Sequence, residues 1–138
     1  MVIQILDHIT DEIKQIRIDV FMKEQGFEDE FDEIDEIAKF VLLSIDGKPA
    51  GTCRYFPSNE EGDAHIGRMA VRKLYRGRHL GTKIMIAAEN GIRRDGFKTC
   101  SLSAQVQAKP FYESFGYKAE GKEYLDEGCP HIFMRKVL

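Results

Sequence analysis

Between Ile66 and Lys83 the chain reads I-G-R-M-A-V-R-K-L-Y-R-G-R-H-L-G-T-K, and few folds accommodate that order. A short apolar run, a basic turn carrying Gly77 and Gly81, and a stretch of helical apolar spacing predict strand, turn and helix. Arg68, Arg72, Lys73, Arg76, Arg78, His79 and Lys83 all fall here. No acidic residue occurs between Asp63 and Glu89, although the net charge of the chain is -3. The N–H groups of a first helical turn lack intrahelical partners, and the helix dipole adds about half a positive charge there. A basic turn leading into that end is suited to phosphate, so the segment is expected to bind a pyrophosphate-containing cofactor.

Two nucleotide-binding patterns are excluded by spacing. Gly77 and Gly81 have three residues between them and Thr82 precedes Lys83, which breaks the P-loop order. No G-x-G-x-x-G is present, and the strands before the turn read as an antiparallel meander rather than a βαβ opening.

With 138 residues the expectation is one domain spanning 1–138. No apolar run approaches the roughly 20 residues of a membrane span, and the first residues lack the pattern of a signal peptide. Cys53, Cys100 and Cys129 are too scattered for a metal site or a disulfide framework, so no metal and a cytoplasmic location are expected. A mildly negative chain whose positive charge is confined to one turn, without an aromatic platform nearby, is not expected to bind nucleic acid. Residues 24–36 hold Glu24, Glu28, Asp29, Glu30, Asp32, Glu33, Asp35 and Glu36 and no Lys or Arg. That run is either a solvated face or a funnel for a cationic amine.

The element order reads β-α-α-β-β-β-α-β-α-β-β, an α/β chain with a mixed sheet. A first strand at Val2–Leu6 is followed by a helix from about Asp11, capped by Asp7 or Thr10 and stopped by Gly26. A short second helix is expected around Phe31 to Glu36. Strands follow at Ala38–Ile45, Ala50–Phe56 and Ala64–Val71, the first two joined by the turn at Asp46-Gly47. After the signature helix, which runs to about Arg94, come a strand at Lys98–Ala104, a short helix at Ala108–Phe115 and two final strands.

Arg76-Gly77-Arg78-His79-Leu80-Gly81 resembles the acetyl-CoA signature [QR]-x-x-G-x-[GA] of the GCN5-related N-acetyltransferases (GNAT). His79 stands where that family usually has glycine, and its Cβ restricts φ and crowds close phosphate approach. A second stretch, Ala108-Lys109-Pro110-Phe111-Tyr112-Glu113-Ser114-Phe115-Gly116-Tyr117, resembles the family's later A-x-x-F-Y-x-x-x-G-[FY] motif at the expected distance. Val20-Phe21-Met22-Lys23-Glu24-Gln25, Ser103-Ala104-Gln105 and Gly128-Cys129-Pro130-His131 further resemble a small single-domain bacterial subgroup.

The resemblance implies a GNAT-type fold and acetyl transfer from acetyl-CoA directly to a primary amine of a small molecule or peptide. The alternative is a non-catalytic acyl-CoA sensor or interaction module of the same fold. It implies cofactor contacts at Met69, Ala70, Val71, Arg76, Gly77, Arg78, His79, Leu80, Gly81, Thr82 and Phe111, with Arg72 and Lys73 adding positive charge for the phosphates. Met69 would offer its backbone N–H to the developing oxyanion, and Tyr112 would act as general acid toward the departing thiolate. Glu24, Arg68, Gln105 and His131 are the candidate acceptor contacts. Gly67 occupies the strand position where relatives often carry a glutamate base, which leaves Glu24, His65 and His131 as candidates, or no dedicated base. Arg68, on a strand that should be covered, is expected to pair with a carboxylate of the acidic segment or to meet the substrate. A Cys129–His131 nucleophile is disfavoured because no orienting partner is apparent. The oligomeric state is left open, a homodimer included.

Overall fold

The computed structural model describes residues 1–27 and 31–138. Seven strands form one sheet: β1 (Val2–Leu6), β2 (Lys39–Ile45), β3 (Lys48–Pro57), β4 (Asp63–Val71), β5 (Thr99–Gln105), β6 (Lys118–Asp126) and β7 (Cys129–Val137). Their spatial order is β1-β2-β3-β4-β5-β7-β6. Every neighbouring pair is antiparallel except β4 and β5, which run parallel because α2 (Leu80–Arg94) carries the chain between them. The expected mixed α/β sheet is therefore present, with the meander β2-β3-β4 ahead of the basic turn.

The F-V-L-L run of β2 has no alternation because both faces are covered. Phe40 and Leu42 pack with Ile13, Ile16, Val20 and Phe21 of the first helix. Val41 and Leu43 pack on the other face with Ile84, Met85, Ala88 and Ile92 of α2. Gly51 sets the depth at which α2 sits. A Cβ there would stand 2.6 Å from Ile84 Cδ1 and 3.2 Å from the Ala70 carbonyl oxygen.

Thr10 caps α1 (Asp11–Arg17), its Oγ1 accepting from Ile13 N–H at 3.3 Å. The helix does not stop at Arg17 but widens to π geometry over Ile18–Glu24, where Gln25 N–H reaches the Val20 carbonyl at 3.0 Å. Gly26, at φ +78°, then turns the chain away as expected. The predicted second helix is a single 3₁₀ turn at Glu33–Glu36, held by reciprocal capping between Asp32 and Asp35. Ile34 is the one apolar residue of the turn and packs on the core, while Asp32 and Asp35 reach buried Arg17 and Arg54, so a longer helix would gain no further packing. The short helix after β5, α3, spans Lys109–Glu113. Edge strand β6 is exposed throughout, and its Lys, Glu and Asp residues blunt pairing with another chain.

Candidate active site

The parallel ladder between β4 and β5 begins at Asp63 opposite Thr99 and ends at Ile66 opposite Leu102. Beyond it β4 continues along β3 to Val71, and β5 continues along β7 to Gln105, so the two strands diverge. The divergence coincides with a bulge. Thr52 pairs with Ala70 and Arg54 with Gly67, which leaves Arg68 and Met69 opposite Cys53. The left-handed residue of the bulge is Arg68, at φ +52°, and not its glycine neighbour Gly67. A non-glycine residue in that conformation is strained and is held by its surroundings. Here the Arg68 guanidinium donates to Asp32 Oδ2 at 3.3 Å, as the structural reading of Arg68 anticipated.

The basic turn reaches α2 through a second left-handed non-glycine residue. His79 is the N-cap of α2 at φ +57°, ψ +30°, and its side chain makes no capping bond. The concern about a Cβ at this position is thus met at a measurable backbone cost rather than by another path of the chain. Leu80 is buried, while Gly81 and Thr82 lie half-buried in the first turn, where N–H groups are without intrahelical partners. Gly77, at φ +82°, has open space around its Cα. Gly81 has a different reason to be glycine: a Cβ there would lie 3.3 Å from the Phe111 ring, so α2 and α3 meet at this point.

Charge on the turn is distributed otherwise than expected. Arg76 was expected to supply charge to phosphates. Instead its Nε donates to the Val71 carbonyl at 2.9 Å and its two terminal nitrogens grip the Glu24 carboxylate. That bond to Arg76, with burial opposing, holds the Glu24 carboxyl below its ordinary range. Glu24 therefore ties the end of the first helix to the turn and does not line the main cavity. Arg72 is similarly engaged, with Asp19 Oδ2 at 3.2 Å and the Pro49 carbonyl at 3.1 Å. Arg78 lies over the Tyr75 ring at 5.9 Å.

The diverging strands open into a cavity of about 580 Å³. It brings together Met69, Arg68, Gln105, His131, Phe111 and Tyr112, six residues drawn from four separate segments of sequence. Ala70 is buried against the first helix, and Val71 packs toward α2. Phe111 meets Tyr112 edge-on at 5.0 Å, and Tyr112 meets Tyr117 edge-on at 6.1 Å, which fixes the phenol at the cavity wall. Burial pushes the Tyr112 hydroxyl up to about 12, so it carries its proton at neutral pH. Gln105 spans the mouth, donating to Gln25 at 3.4 Å and accepting from Gln107 at 2.7 Å. His131 is buried, with Nδ1 donating to the Cys129 carbonyl at 2.8 Å, so that nitrogen is not aimed at the Cys129 thiol.

The acidic run acts as a clasp. Asp35 accepts from Arg17 at 2.7 Å and from Arg54 at 2.8 Å, and Asp32 accepts from Arg54 at 2.6 Å. Arg17 and Arg54 are almost wholly buried, so these carboxylates neutralise guanidinium groups that could not remain unpaired. For Asp35, burial works against the charge but the Arg17 and Arg54 bonds outweigh it, leaving its carboxyl below the ordinary range. Neither the solvated face nor the open funnel describes Asp32 and Asp35. Glu28, Asp29 and Glu30 lie outside the described residues.

One cluster was not singled out from sequence. Asp63 Oδ2 accepts from Ser101 Oγ at 2.7 Å, and Ser101 Oγ lies 3.0 Å from Nδ1 of His65, which lines the cavity. The available signal was the alternation Thr99, Ser101, Ser103, Gln105 in β5, a polar face on an otherwise apolar strand. Its register against Asp63 and His65 depends on the tertiary fold. Among the described residues no group of His, Cys, Asp and Glu could hold a metal, and no helix is long and apolar enough to cross a membrane.

The profile of the acetyltransferase (GNAT) domain family matches residues 5–138. The uncharacterised N-acetyltransferase YjcF of Bacillus subtilis is 36% identical over 124 residues, covering 88% of this chain and 87% of its own. Among solved structures, an acyl-CoA N-acyltransferase from Pseudomonas aeruginosa superposes with a TM-score of 0.89 at 26% identity, covering 99% of both chains. Escherichia coli ElaA superposes with a TM-score of 0.87 at 25% identity, covering 98% of both.

Proposed function

The chain belongs to the acetyltransferase (GNAT) domain family, and from that premise we propose that it moves an acetyl group from acetyl-CoA directly to a primary amine of a small molecule or peptide. The observation that carries this reading is the end of the β4–β5 ladder at Ile66 and Leu102, which line one cavity with Phe111 and Tyr112, Phe111 in turn lying against Gly81 in the first turn of α2. Where the strands part, β4 from Gly67 to Val71 has no ladder partner on its β5 side among the described residues. A thioester arm lying there can take the backbone bonds that a strand would otherwise make.

Acetyl-CoA supplies an activated acetyl group and a thiol leaving group. The backbone N–H groups of Leu80, Gly81 and Thr82, with the Gly77–His79 turn, hold the pyrophosphate at the positive end of α2. Arg78 and Lys73 supply the positive charge left for the phosphates, since Arg76 is committed to Glu24. Val71 and Ala70 guide the arm, and the Met69 N–H faces the carbonyl oxygen where negative charge develops; one such donor is worth about 10²–10³ in rate. Tyr112, protonated at neutral pH, donates its hydroxyl proton to the departing sulfur. Arg68, Gln105 and His131 line the space left for the acceptor.

The test is CoA release measured with acetyl-CoA and a panel of primary amines. Turnover on one or more amines is expected. Acetyl-CoA binding without turnover on any amine would favour a non-catalytic sensor, and absence of CoA binding would sink both readings.

A further inference from the structure

We infer that His65 is the base that removes the proton from the incoming ammonium, with its tautomer set by Ser101 and Asp63. This rests on the acetyl-transfer reading above. The Ser101 hydroxyl has a single hydrogen to donate. Asp63 is almost wholly buried, yet the hydrogen bonds from Ser101 and Thr99 outweigh that burial and keep its carboxyl ionised. An ionised carboxylate only accepts, so at 2.7 Å the Ser101 hydroxyl hydrogen points at Asp63. Ser101 Oγ can then only accept from His65 at their 3.0 Å contact, which puts a hydrogen on His65 Nδ1. In the neutral ring Nε2 is left with a bare lone pair.

The surroundings keep the ring neutral and in place. Burial lowers the His65 pKa; Asp63 opposes this and Arg54 adds to it. The groups packed against the ring are Phe56 from β3 at 5.5 Å and Phe133 from β7 at 6.3 Å, the latter covered by Arg135 at 5.2 Å. Gly67, the next residue on the same face of β4, has no atom within 4 Å of where a Cβ would stand. That face of the strand therefore opens into the cavity. His65 and Gly67 line the same cavity as Met69 and Tyr112, so an ammonium bound there is within reach of His65 directly or through one water.

In the step itself an N–H bond of the substrate ammonium breaks, its electron pair stays on the amine nitrogen, and a bond forms between the proton and His65 Nε2. Ser101 and Asp63 keep their protonation states throughout. The imidazolium so formed is stabilised through Ser101 by the Asp63 charge, and it returns its proton to solvent after each turnover. His131 also has a bare nitrogen opposite its Nδ1 bond, but its partner is a neutral carbonyl, which orients the ring without supplying an anion. Ser101 and Asp63 are positioning residues in this scheme.

Two measurements test it. Long-range ¹H–¹⁵N spectra of the wild-type protein at neutral pH should assign His65 to the Nδ1–H tautomer, and Ser101→Ala should shift it toward Nε2–H. An Nε2–H tautomer in the wild type would overturn the proposal without any variant having to fold. With an amine that the wild type acetylates, His65→Gln should lower kcat by about 100-fold, at the low end of what general bases contribute. It should also remove the acid limb of the pH profile, expected below pH 6.5 because the His65 pKa is lowered from that value. Acetyl-CoA affinity should be unchanged, which also verifies that the variant is folded. An unchanged acid limb in His65→Gln would overturn the base alone, whereas a wild type that turns over no amine would overturn the acetyl-transfer reading with it.

Discussion

Tyr112 and His79 mark the two ways in which single residues serve this fold. The Tyr112 phenol is held among aromatic rings, and burial raises its pKa, so loss of the hydroxyl removes a proton donor while leaving the packing in place. Tyr112→Phe should therefore lower kcat by about 10²-fold or more while changing acetyl-CoA affinity little. Steady-state kinetics beside equilibrium CoA binding will measure this, and an unchanged kcat would remove Tyr112 from the chemistry. His79 holds a left-handed conformation without a compensating cap. His79→Gly should stabilise the protein by about 1 kcal/mol, the order of the left-handed penalty for a residue with a Cβ. Urea denaturation midpoints will reveal that gain, and a loss of stability would mean that the imidazole makes a contact that compensates the strain.

At the scale of elements, the site depends on how closely α2 approaches the sheet. Gly51 in β3 faces Ile84 of α2 on one side and the Ala70 carbonyl, in the bulged part of β4, on the other. A methyl group added there must turn the Ile84 δ-methyl aside or press on the helix, and it crowds the Ala70 carbonyl, which belongs to the backbone and cannot rotate away. Gly51→Ala should destabilise by about 1–3 kcal/mol, the usual cost of overpacking. It should also weaken acetyl-CoA binding, since the first turn of α2 moves relative to Met69–Val71. Thermal unfolding and CoA titration on the same variant would separate these effects. Unaltered values in both would show that the helix has slack at this contact. The π-helical end of the first helix belongs to the same scale, because it carries Glu24 to Arg76 and Gln25 to Gln105.

For the molecule as a whole, the acidic clasp and the buried Asp63 set the response to low pH. Asp32, Asp35 and Asp63 all have pKa values below their ordinary value near 3.8. Lowered folded-state values mean that the stability they contribute is fully present above the unfolded value, and is lost as pH falls through the folded values. Denaturation midpoints should accordingly decline steeply only below about pH 4. A decline beginning near pH 6 would point to the histidines instead. The order of elements, the two motifs around Gly77 and Tyr112, and the breakers Asp46-Gly47 and Gly26 were legible in sequence, because local propensity and spacing are properties of neighbouring residues. The strand ends shifted by only a residue or two, whereas the helix expected near Phe31–Glu36 shrank to one turn because its carboxylates face buried arginines. The partners of charged groups were not legible. Whether Arg76 meets phosphate or Glu24, and whether Arg68 or Gly67 takes the left-handed bulge, depends on residues tens of positions away that share no local pattern. The same holds for Asp63, Ser101 and His65, which become a connected set only when the parallel register places His65 opposite Ser101. The sequence by itself determined which elements form and that one turn between strand and helix suits phosphate. Tertiary structure alone decided which charges cancel and which nitrogen is left bare, because those outcomes rest on contacts between strands and helices distant along the chain.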